Sequence, residues 1–217
     1  MQPTDAPFPS SPFVSIWLHP RTTLRRLLDS NPRRGVLVLA MFYGFARALA
    51  YGMDHLLGEE YGLPGLALLI LVAVPLATVL LLYLAAWVTH MSASRLGGTG
   101  TRASVRAALA WSTIPQILSA LLATVPSLIL NGAAAFYNTS LRTDVLVDPL
   151  AHNAPLLCVA SLLTPLLLLW SLVLAIVCVS EAMSISPSRA AASALLGAAA
   201  AAVPILFVAL LVFLNTY

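Results

Sequence analysis

Arg47, Tyr51 and Asp54 stand at spacings of four and three inside an apolar stretch, a pattern that places ionisable groups where lipid would surround them. On an α-helix these spacings bring all three, with Tyr43, onto one stripe, and put Asp54 about 10 Å along the axis from Arg47. An arginine at mid-span costs about 2.5–3.5 kcal/mol on insertion scales and requires a partner. The four later apolar stretches carry no central carboxylate, because Glu181 falls at the end of one of them. Asp54 or a backbone carbonyl is therefore the expected counter-group. Such a set can tie the architecture together, or it can border a polar path for an anionic headgroup.

Other reactive types yield less. His55 adjoins Asp54, and His90 lies beside Met91 near Trp87, but both histidines fall at span ends, where water satisfies an imidazole. The run Leu96-Gly97-Gly98-Thr99-Gly100-Thr101 resembles a phosphate cradle, yet it lacks the lysine and the preceding strand of a nucleotide loop. It reads as a flexible turn. There is no H-E-x-x-H, no G-x-S-x-G and no helical pair of carboxylates, since Glu59 and Glu60 fall in an expected loop. No catalytic residue, metal or cofactor site is expected, and no nucleic-acid partner. Cys158 and Cys178 lie on one expected helix about 30 Å apart, too far to bridge.

The elements that must carry these residues follow from composition. Of 217 residues, 60% are hydrophobic and 9% charged, more apolar surface than one soluble core can cover. Apolar runs at about 36–57, 63–91, 105–131, 154–180 and 189–214 are each long enough to cross a bilayer as a helix. The fold class is all-α, a polytopic membrane protein of five transmembrane helices, because lipid leaves no partner for unpaired backbone and no barrel-like alternation is present. Residues 1–34 form an N-terminal segment and 35–217 the membrane domain.

Arginine gives the orientation. Arg21, Arg25, Arg26, Arg33 and Arg34 precede the first span, Arg95, Arg102 and Arg106 join the second to the third, and Arg189 joins the fourth to the fifth. The alternate face has Arg142 among Glu59, Glu60, Asp144 and Asp148. Basic residues stay inside, so the N-terminus is expected in the cytoplasm and the C-terminus outside. The chain contains no lysine and uses Arg, Ala and Leu heavily, a GC-rich bacterial habit that points to a bacterial inner membrane. No cleaved signal peptide is expected.

Residues 1–11 are rich in Pro and Ser and read as disordered. Pro12 and Pro20 then suit first helical positions, giving two short helices. In the second, Leu24, Leu27 and Leu28 share one face and Arg21, Arg25 and Asp29 another, an amphipathic interfacial element. Trp17 would lie at headgroup level, with Arg21, Arg25 and Arg26 toward anionic lipid or a protein partner, each basic residue worth about 1 kcal/mol near such a surface.

Within the later spans, Pro75, Pro115, Pro126, Pro165 and Pro204 each free a carbonyl one turn back. Gln116 and Asn131 are expected to bond between helices, and Ala191, Ala194, Ala198 and Ala202 to allow close helix contact. The exterior connection over 132–153 has no readable conformation, and no internal repeat is visible.

Three patches resemble the Yip domain family (Ypt-interacting proteins) in its bacterial form. They are Pro12-Phe13-x-x-Ile16-Trp17-x-x-Pro20-Arg21-x-Thr23 with Asn31-Pro32; Leu96-Gly97-Gly98-x-Gly100-Thr101 through Ala110-Trp111-Ser112-x-Ile114-Pro115; and Trp170 followed by Glu181-Ala182-Met183 and Ser186-x-x-Arg189-Ala190. The resemblance implies a five-span bundle with a cytoplasmic N-terminus and no catalytic residues. Eukaryotic members are associated with Rab-type GTPases and vesicle traffic, whereas bacterial members generally lack an assigned activity. This chain's short N-terminal tail offers little to a Rab-like partner. The expected function is a non-enzymatic scaffold or adaptor for membrane organisation, able to self-associate; the alternative is a small permease or lipid-moving protein with a polar path around Arg47 and Asp54.

Overall fold

Hydrocarbon offers no partner to a free amide, and the chain answers with helix along almost its whole length. The computed structural model describes residues 11–33, 35–137 and 143–216. Apart from Ser11, the tail read as disordered lies outside them, as do Arg34, Arg142 and Tyr217. In order come α1 (Pro12–Leu18), α2 (Pro20–Ser30), α3 (Val36–Asp54), α4 (Leu57–Leu68), α5 (Val74–Arg95), α6 (Arg102–Ser112), α7 (Ile114–Asn131), α8 (Thr143–Met183) and α9 (Pro187–Thr216). A π-helical turn, Leu69–Ala73, joins α4 to α5, and a 3-10 turn, Gly132–Phe136, follows α7. No strand occurs among the described residues.

Five segments among them are long and apolar enough to cross a membrane: Val36–Asp54, Leu57–Arg95, Arg102–Ile129, Leu162–Met183 and Pro187–Phe207. These are the five expected spans with altered edges. Gly62, at φ 61°, breaks α4, so Glu59 and Glu60 stand in a helical turn before the break and not in a loop. Helix α8 begins at Thr143, well before the expected start at 154, and takes up part of the unreadable connection. The third span is two helices, parted at Thr113 just ahead of Pro115.

Prolines explain two of the irregularities. The ring of Pro75 presses toward the carbonyl four residues back, and the widened turn at Leu69–Ala73 lies where that room is needed. At the third-span break Pro115 brings no amide, and side chains replace the missing bonds: Ser171 Oγ donates to the Ser112 carbonyl at 2.7 Å and accepts from Gln116 Nε2 at 2.8 Å. Gln116 thus links the third span to the fourth, as its type predicted. Bonds of this kind contribute about 0.6–2 kcal/mol in a membrane.

Packing is small inside and large outside, because lipid gives no hydrophobic drive for burying a leucine. Ala46, Ala48 and Ala50 are buried on α3, while Leu71, Leu76 and Leu80 of α5 and Ile205, Leu206 and Phe207 of α9 face outward. Helix α3 packs against α5 and α7, α8 against α6 and α7, and α9 chiefly against α5. Among the described residues the buried positions of α9 are Ala190, Ser193 and Gly197, shifted from the expected alanine stripe, of which Ala198 is exposed. A Cβ on Gly197 would strike the Thr89 side chain and come within 2.8 Å of the Ala85 carbonyl.

The basic end of the bundle as candidate functional site

Helices α1 and α2 fold into a hairpin on one end of the bundle, each opening with its proline in the first turn. The expected amphipathic split is present: Leu24 and Leu27 are buried and Leu28 partly so, while Arg21, Arg25 and Asp29 are exposed. Protein covers the apolar side. Ile16, Leu24 and Leu27 join one core cluster with Val105, Trp111, Val179 and Met183, and α2 packs on α8. Trp17 is half-buried against that cluster, and Phe13 packs on Trp111 with ring centroids 5.3 Å apart.

A polar clasp completes the attachment. Arg25 Nε donates to Glu181 Oε1 at 2.7 Å, and Nη2 lies 2.5 Å from the same oxygen. The arginine side chain is 70% exposed and the glutamate 17%, so water screens the pair and most of the hold comes from the buried leucines. Arg21 and Arg26 are exposed on the same hairpin.

Beside the hairpin runs the glycine-rich connection, and it is fastened rather than flexible. The Thr99 amide donates to the Met183 carbonyl at 3.0 Å and Arg189 Nη1 to the Leu96 carbonyl at 3.1 Å. The Gly100 carbonyl stands 3.2 Å from His90 Nε2, and Thr101 Oγ1 caps α6 by accepting from the Ser104 amide at 3.1 Å. A Cβ on Gly100 would collide with the Ala182 carbonyl. Glycine here permits two backbones to touch.

From mid-bundle to the far end of α3, Arg47, Tyr51 and Asp54 do share a stripe, all three exposed. The Arg47 guanidinium forms no hydrogen bond or ion pair among the described residues, and the expected counter-group role of Asp54 is not realised. The cause is orientation: α3 turns Ala46, Ala48 and Ala50 into the bundle and leaves position 47 on its outer side. Tyr43 stands one turn nearer the basic end on the same stripe, the direction in which a helical side chain leans. Tyr51 stacks on His55 at 3.9 Å between centroids. Asp54 borders a hollow of about 300 Å³ at the opposite end, with Met53, Thr124, Ser127 and Asn131; Arg47 does not line it.

Among the described residues no group of His, Cys, Asp and Glu is placed to hold a metal. Cys178 is buried, with a free thiol, and Cys158 shares its helix as expected. Residues 14–214 match the family model of the Yip1 domain. No curated protein and no solved structure matches the chain. With five apolar segments of spanning length and a family match over nearly all of its residues, this chain belongs to the Yip1 domain family and is a multi-pass integral membrane protein.

Proposed function

We propose that the protein is a non-enzymatic scaffold or adaptor of a bacterial inner membrane, with the basic end in the cytoplasm. Trp17, Arg21, Arg25 and Arg26 form its surface for anionic lipid or a protein partner. The observation that carries this reading is the docked hairpin: with Leu24 and Leu27 buried against the bundle, the arginine side is held in a fixed orientation. A loose anchor would need no such seat. The family match supports an integral membrane role, and the bundle's apolar exterior leaves room for self-association.

Site-specific photo-cross-linking from the hairpin in native membranes tests the reading. A discrete partner or anionic-lipid adduct that is lost in Arg21→Gln/Arg26→Gln supports it, and recovery of the protein alone with no lipid preference overturns it. Orientation is tested in the same cells with an impermeant thiol reagent. Glu60→Cys should react in intact cells and Ser94→Cys only after the membrane is opened.

The polar hollow around Asp54 favours a second reading, in which a small solute enters from the opposite end. That reading requires flux into proteoliposomes that Asp54→Asn largely abolishes. Equal flux in both proteins removes it.

A further inference from the structure

A second collection of positive charge lies away from the hairpin, along the seam between α5 and α6. Tyr83, Trp87, His90 and Ser94 recur on one face of α5 at spacings of four, three and four, and Arg102 and Arg106 stand one turn apart on α6. Arg106 lies over the Tyr83 ring at 4.6 Å, which locks the two helices in register there.

Two hollows follow this seam. The first, about 370 Å³, lies between Arg33, Val36, Tyr83, Ala103 and Arg106. The second, about 430 Å³, lies between Trp87, His90, Met91, Ser94, Arg95 and Arg102. Neither has a carboxylate in its wall. Glu181, the acid at this end that is turned toward the protein, is held by Arg25.

Depth decides what these hollows can take. Val36 opens the apolar run of α3, so Tyr83 and Arg106 beside it stand at the edge of the hydrocarbon, where aromatic rings and phosphates of a bilayer meet. A guanidinium stacked on a ring keeps its N–H edge free, and that edge matches phosphate oxygens in a two-point contact. On the membrane side of the first hollow the surface is apolar, with Leu37 and Leu80 exposed. Acyl chains attached to the phosphate would lie against that surface, and a soluble phosphate would gain nothing from it.

We propose that the α5–α6 seam is a binding site for an anionic phospholipid bearing two phosphates, one between Arg33 and Arg106 and the other near Arg102 and Arg95. The one-turn step from Arg106 to Arg102, about 6 Å, suits two linked phosphates better than one. None of the hairpin residues takes part, so this site stands or falls independently of the scaffold reading.

The test is lipid titration of the full chain in detergent, read by native mass spectrometry. Diphosphatidylglycerol should bind about tenfold more tightly than phosphatidylglycerol, and phosphatidylcholine more weakly still. Arg106→Gln and Arg102→Gln should each weaken the two-phosphate lipid about five- to tenfold. Arg102 is exposed, so its variant keeps the test decisive if Arg106→Gln fails to assemble. Equal binding of the three lipids, or arginine variants that bind like the parent, overturns the proposal. Displacement of lipid by glycerol phosphate at matching concentration also overturns it, because a free phosphate would then be the ligand.

Discussion

Gly100→Ala should lower the stability of the detergent-solubilised protein by about 1–3 kcal/mol, the usual cost of forcing an atom into a packed site. The added methyl would meet the Ala182 carbonyl, a backbone atom that cannot swing aside. To make room, the connection must withdraw from the end of α8, which stretches the bond from the Thr99 amide to Met183 and the contact of His90 with Gly100. Thermal unfolding followed by circular dichroism measures it, with an expected fall of roughly 2–4 °C per kcal/mol for a chain of this size. A linker that only joined two spans would accept alanine with a change inside about 0.5 kcal/mol. That result would show the connection to be loose.

Glu181→Arg should loosen the hairpin, although Leu24 and Leu27 still hold it. The substitution sets a second cation against Arg25 where a carboxylate stood 2.5 Å away, with water at the exposed arginine screening part of the repulsion. Loss of a partly screened pair together with the new repulsion comes to about 1–1.5 kcal/mol, or roughly a tenfold rise in the detached population. Trypsin reads this directly, because cleavage after Arg21 and Arg26 needs the hairpin to leave its seat and unwind. Adding Arg25→Glu to the same protein should restore most of the protection, since the pair is rebuilt with its charges exchanged. If the single variant is cut no faster than the parent, the ion pair has no part in seating the hairpin.

The five spans were legible because lipid imposes a long, uninterrupted apolar requirement, and 19 to 39 residues of it cannot hide in a sequence of this length. The two short helices before them were legible through Pro12 and Pro20, whose fixed torsion suits a first turn. Gln116 was legible too, because an amide in an apolar helix must find a partner. What escaped were relations between distant parts of the chain. Arg25 meets Glu181 across 156 positions, and no local pattern announces such a meeting. Spacing placed Arg47 and Asp54 on one stripe, but periodicity along a single helix does not say whether a stripe faces neighbours or lipid. Leu24 and Leu27 had the same ambiguity, since a buried apolar face reads alike whether protein or bilayer covers it. The glycine-rich connection reads as a loose turn from sequence because glycine permits both looseness and intimate contact, and the partner at Ala182 lies far downstream.

The π turn at Leu69–Ala73 has a consequence for how the second span can change length. A regular helix that gains or loses one residue rotates everything beyond that point by about 100°. The wide turn already accommodates an extra residue, so α4, seated through Leu66 against Phe136, and α5, seated against α3 and α9, need not share one winding phase. Length variation falling within this turn is absorbed as coil slack. The same change between Val74 and Thr89 would swivel Thr89 off Gly197 and unseat the last span.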